Sequence, residues 1–247
     1  MARRSREVGI IKSCILGAAF AGALAMPAQA NELTLSATTA ITTDYIFRGI
    51  SNSAENPAVQ PEFDAYYGIF YAGIWGSNTS DAIGDGIEID YYAGIAPAWQ
   101  NITFDIAGLY YTYPGGNDID YFELKTGATW APNDAWSFRV TNYWSPDYAQ
   151  TGLQSDAIEG AAAYTFSGTI FNFFTPTISA LVGWQWYEDP IPDYTYWNAG
   201  LTLGFMEHWS VDVRYWDTDY NQPDCLSLIG DRSACDARVV GTVKATF

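Results

Sequence analysis

The side chains of this sequence that could do chemistry are charged residues placed at every second position of short apolar stretches. Glu88 and Asp90 alternate with Ile87, Ile89 and Tyr91, and Glu123 and Lys125 alternate with Phe122 and Leu124. The same placement applies to Asp44, Arg48, Glu62, Asp64, Asp105, Arg139, Glu159, Asp212 and Arg214. Charges so arranged suit ion handling or mutual pairing, not bond making. The sole histidine, His208, falls in a predicted turn beside Trp209, without the Ser or Asp neighbourhood that a hydrolytic triad needs. No phosphate loop, zinc motif or nucleophile elbow occurs. The expectation is a protein that is not an enzyme and carries no cofactor. Asp217, Asp219 and Asp224 match no defined calcium loop and read as solvated rim charge.

Alternation with a period of two requires strands with one apolar and one polar face. Such stretches recur from Leu33 to Phe247, separated by Gly-, Pro-, Asn- and Asp-containing turns, with few helix-periodic segments. About twelve strands are predicted, which suits membrane strands of about 9–11 residues. The fold class expected is all-β, a transmembrane antiparallel up-and-down β-barrel. With an even count both termini lie on one side. Tight turns at 67–68, 97–101, 131–134, 167–170 and 206–208 are then periplasmic, the 167–170 turn being longer than the rule favours. Connections near Asn78, Pro114, Pro146, Pro190 and between Cys225 and Cys235 face outside. The first strand is read as Leu33 to Ser51, with Tyr45 and Phe47 on one face and Asp44 and Arg48 on the other.

A charge facing lipid costs about 2–4 kcal/mol near the bilayer midplane for a basic residue, so the charged strand faces must line the lumen. The candidate lumen set is Asp44, Arg48, Glu88, Asp90, Asp105, Glu123, Lys125, Arg139, Glu159, Asp212 and Arg214. It describes an acidic wall crossed by a few basic side chains around a water-filled path. The competing reading is a plugged lumen in which these residues only pair with one another.

Residues 1–30 read as a Sec-type signal peptide: Arg3, Arg4, Arg6 and Lys12 precede the apolar run Ile15 to Met26, and Ala28-Gln29-Ala30 has the cleavage-site form. Residues 31–247 form the barrel domain. Removing the leader takes away four bases and one acid, moving the formal charge from −17 to −20. That charge argues against nucleic acid as a partner. Aromatic residues make up 17% of the chain, more than the 16% that is charged, and without long apolar runs this suggests interfacial girdles. Cys225 and Cys235, in an exported chain, are expected to form a disulfide.

The segments Asp44-Tyr45-Ile46-Phe47-Arg48-Gly49-Ile50-Ser51, Tyr71-Ala72-Gly73-Ile74-Trp75-Gly76-Ser77-Asn78 and Glu88-Ile89-Asp90-Tyr91-Tyr92-Ala93-Gly94 resemble the TorF-type porins of proteobacteria. So do the ending from Ala237 to Val243 and the cysteine pair before it. The resemblance implies an outer-membrane β-barrel and supplies no site residues. The function expected is a porin-like channel in the cell outer membrane for passive diffusion of small solutes, leaning toward cations. The alternatives are a non-conducting structural or surface-interaction barrel and a secreted soluble β-sandwich binding module. Partners expected are the outer-membrane bilayer, small solutes and the barrel-assembly machinery. The last would read the final strand, with Phe247 as its assembly signal.

Overall fold

In the computed structural model, residues 32–83, 86–115 and 119–247 are described, and the expected signal segment lies outside them. Twelve long strands run in chain order: β1 (Thr34–Thr42), β2 (Ala58–Tyr67), β3 (Phe70–Asn78), β4 (Ile87–Ile95), β5 (Ile102–Thr112) and β6 (Tyr121–Trp130), followed by β7 (Trp136–Ser145), β8 (Ser155–Thr165), β9 (Thr175–Tyr187), β10 (Tyr194–Phe205), β11 (Trp209–Thr218) and β12 (Arg238–Thr246). Each pairs antiparallel with its sequence neighbours, and β12 pairs antiparallel with β1, from Thr38↔Thr246 to Thr42↔Thr242. The sheet is a closed twelve-stranded barrel. Closure leaves no free edge, which is what allows strands to satisfy every backbone group inside lipid. It also sets aside the soluble β-sandwich.

The two faces divide as the alternation requires. Ile41, Phe63, Ile74, Tyr91, Ile106, Leu124, Val140, Val182, Leu201 and Val243 stand exposed on the outer face. On the outer faces of the strands the acids are Asp156 and Asp217, both at the end carrying the longer connections. Asn142 donates to Asp156 at 2.5 Å, and the Tyr215 hydroxyl to Asp217 at 2.7 Å. They mark where the apolar band stops.

The aromatic residues split by chemistry, correcting the uniform girdle reading. None of the ten tryptophans is buried, whereas eleven of the 18 tyrosines are. Trp99, Trp130, Trp136 and Trp209 face out at the short-turn end, Trp144 and Trp184 near the other. The tyrosine hydroxyl is the reason: it makes an aromatic ring compatible with a carboxylate-lined interior, whereas the indole suits the lipid interface.

Three elements depart from the sequence reading. The first strand ends at Thr42, and the chain turns into the barrel as a small hairpin, Ile46–Phe47 paired with Ile50–Ser51. The connection after β8 extends to Phe174, closed by an isolated Ile170↔Phe174 bridge. The cysteine-containing connection, expected as a loop, opens with a helix, α1 (Gln222–Ile229), that carries Cys225 itself. Asn221 caps its start by accepting from the Asp224 N–H at 3.0 Å, and Gly230 ends it at φ 81°. Cys225, on the helix, and Cys235 are disulfide-bonded and buried.

Candidate functional site

The interior is organised around Arg48, at the tip of the inward hairpin. Arg48 and Gly49 have φ 48° and 85°, the positive values that a two-residue type I′ turn demands. Gly49 is needed for a second reason: a Cβ there would lie 2.7 Å from the Tyr196 Cβ on β10. The hairpin therefore leaves the rim at β1 and packs against the wall formed by β10 and β11.

From that tip the Arg48 guanidinium chelates Glu123 on β6, donating to both carboxylate oxygens at 2.8 and 2.7 Å, and donates to Gln185 Oε1 on β9 at 3.1 Å. Phe47 and Tyr143 flank it, with ring centroids 4.6 and 4.7 Å away. Tyr111 donates to the same Glu123 at 2.9 Å. Glu123, Gln185 and Tyr196 have no exposed surface, so water does not reach this level of the lumen along these walls. At the hairpin's base, Asp44 accepts from Ser51 (2.7 Å), Ser53 (2.8 Å) and Arg238 of β12 (2.8 Å).

Toward the short-turn end a second network ties three strands, β9, β10 and β11. Arg214 pairs with Asp212 (3.0 Å) and donates to Asn198 (2.7 Å) and Ser179 (2.9 Å), while Thr202 donates to Asp212 at 2.6 Å. Lys125 pairs with Asp105 at 2.6 Å, and Arg139 with Glu159 at 3.7 Å. Tyrosines supply further donors: Tyr71 to Asp105 (2.6 Å), Tyr196 to Glu159 (2.8 Å), and Tyr92 to Asp64 (2.6 Å) and Glu62 (2.9 Å). Glu88 accepts from the Tyr45 hydroxyl at 3.1 Å. Rings of Tyr111, Tyr121, Tyr148, Tyr187, Tyr194 and Tyr220 follow one another at 4.5–6.4 Å toward the long-loop mouth. Burial pushes the Tyr220 hydroxyl there up to about 12.

All eleven residues of the candidate lumen set lie on the interior side of the wall. Two reach it differently from the expectation. Asp44 and Arg48 sit on the folded-in hairpin, not on a strand, because Gly49 permits a reversal that side-chain alternation does not announce. The neutral members Gln185, Asn198, Ser179 and Thr202 were not singled out from sequence, although their inward parity on β9 and β10 was legible there. His208 is a clasp: its Nδ1 lies 2.8 Å from the Thr246 carbonyl, and its ring stacks on Phe247 at 4.9 Å.

An apolar outer face around a charged, hydrogen-bonded interior is the build of a membrane β-barrel. The chain belongs to the Gcw_chp family, described as a bacterial protein of unknown function, whose model matches residues 27–247. No curated protein sequence matches it. Its fold is similar to that of the KdgM porin, with a TM-score of 0.59 and 9% identity, covering 86% of this chain and 99% of that one. It is also similar to the NanC porin (TM-score 0.55, 9% identity, 87% and 99% covered). The COG4313 outer membrane channel from Pseudomonas putida F1 gives a TM-score of 0.50 at 8% identity, with 90% and 96% covered. At such identities the likeness carries the fold alone.

Proposed function

We propose that the protein is a porin-like channel of the outer membrane, passing small solutes through a lumen narrowed by the Arg48 hairpin and favouring cations. The observation that carries this is the interior wall, where carboxylates outnumber bases: Asp44, Glu62, Asp64, Glu88, Asp90, Asp105, Glu123, Glu159 and Asp212 against Arg48, Lys125, Arg139, Arg214, Arg238 and Lys244. A wall of one dominant sign raises the local concentration of counter-ions. The KdgM porin has been seen in complex with disordered oligogalacturonate. That polyanion would be repelled by this wall, so cationic and neutral solutes are proposed here instead. The proposal includes removal of residues 1–30 as a signal peptide, both termini in the periplasm, recognition of the final strand by the assembly machinery, and kinship with the TorF-type porins.

The second reading, a non-conducting barrel, is favoured by one observation, the complete burial of Glu123, Gln185 and Tyr196 around Arg48. Planar-bilayer recording on the folded protein separates the two. Discrete conductance steps, with a reversal potential of cation-selective sign in a salt gradient, are expected. Absent steps would leave the plugged barrel, and anion selectivity would contradict the acidic-wall argument.

A further inference from the structure

Among the described residues, β4 carries one of the places where the interior pairing is incomplete. Glu88 and Asp90 occupy alternate positions of β4 and so point to the same interior side, about 6.5–7 Å apart along the strand. Glu88 is 1% exposed, yet its Oε2 has no hydrogen-bond partner, and neither does the buried Oδ1 of Asp90. The charged groups acting on Asp90 are Glu88 and Glu123, both carboxylates. The hydrogen-bonding groups beside Glu88 are neutral, those of Tyr45, Asn52 and Tyr113. Arg48, the basic side chain at the hairpin tip, has its charge chelated by Glu123. Two adjacent carboxyl groups therefore each keep one buried oxygen without a partner on the same interior side. A buried oxygen left without a hydrogen-bond or ion partner costs a fold free energy.

We propose that Glu88 and Asp90, completed by the hydroxyls of Tyr45 and Tyr113 and the amide of Asn52, form a binding site for a hard divalent cation such as Ca²⁺. Oxygen-only donors and two negative charges match that ion's preference and its charge. Among the described residues no three Asp, Glu, His or Cys side chains gather around one point. The site is thus a two-carboxylate one, and affinity in the weak range of extracellular calcium modules is expected, about 10⁻⁴–10⁻³ M. Glu88 lies one residue inside the long-loop end of β4, and Asp90 is only half-buried, so the ion enters from that mouth. The inference stands whether or not the lumen conducts.

The test uses Tb³⁺, which occupies calcium sites and luminesces when a nearby tyrosine is excited; Tyr45 lies in contact with Glu88. The chain spanning residues 31–247 is refolded in detergent, and folding is checked by heat-modifiable gel mobility. Saturable tyrosine-sensitised luminescence is expected, displaced by millimolar Ca²⁺. It should weaken at least tenfold in the Glu88→Gln/Asp90→Asn variant. It should be unchanged in Asp81→Asn/Asp231→Asn, which alters carboxylates in two connections outside the strands instead. If the double variant does not fold, Asp90→Asn alone is read in the same way. Absence of a saturable signal, or equal binding by parent and inner variant, overturns the site. A signal abolished by the Asp81→Asn/Asp231→Asn variant overturns it as well.

Discussion

Arg48 is held by two oxygens of one carboxylate, an amide and two ring faces, and each of these comes from a different part of the chain. Such a pair stabilises only while both members are present, because either one alone would be a buried, unpaired charge. Arg48→Ala is expected to destabilise the barrel by about 3–5 kcal/mol, read by urea titration in vesicles. In the same variant single-channel conductance should rise, since the side chain that crosses the lumen is gone. Arg48→Met combined with Glu123→Leu should recover most of the stability. If Arg48→Ala left both stability and conductance at parent values, the central role given to the hairpin would be wrong.

The strand is the element at which the membrane argument is tested. Along β9, Ile178, Ala180, Val182 and Trp184 face out, while Thr177, Ser179, Leu181 and Gln185 face in. Val182 sits mid-strand and is exposed on the outer face, so Val182→Arg should cost about 2–4 kcal/mol of folding into lipid vesicles. The same change at Asp217, at the band's edge, should cost about 0–1 kcal/mol. Equal costs at both positions would contradict the placement of the bilayer. Helix α1 belongs to this scale too. Its cap Asn221, the proline at position 223 and its stop Gly230 are all visible in sequence, but eight residues of weak periodicity around a cysteine do not stand out.

At the scale of the molecule, the barrel exists because its first and last strands meet. Beyond the β1–β12 register, the Phe247 N–H donates to the Ala37 carbonyl and the Ala37 N–H to the Phe247 carbonyl, both at 2.9 Å. His208 caps the junction from the β10–β11 turn by stacking on Phe247. Deleting Phe247 removes both backbone bonds and that stack at the closing seam. Outer-membrane levels of the variant, measured by fractionation and heat-modifiable mobility, should fall, while the conductance of the molecules that do assemble should stay at the parent value. Unchanged levels would count against the assembly role of this residue.

The sequence by itself determined the class of fold. Period-two alternation over twelve stretches specifies which residues face lipid, and the cost of a charge in hydrocarbon leaves Glu88, Glu123 or Arg214 only the interior. The cysteine pair was legible from its short spacing in an exported chain, and the pairing of β12 with β1 from an even strand count that calls for closure. Only the tertiary structure decided who meets whom inside. Arg48 and Glu123 are 75 positions apart, and no periodicity relates them. Their meeting depends on a reversal at Gly49 that takes the chain off the wall and across the lumen. The division of aromatic residues, eleven tyrosines buried and most tryptophans outward, with Trp75 and Trp216 turned in, follows from the same cause. It is set by what each ring finds opposite it once the barrel has closed, and so is the unpaired state of Glu88 and Asp90.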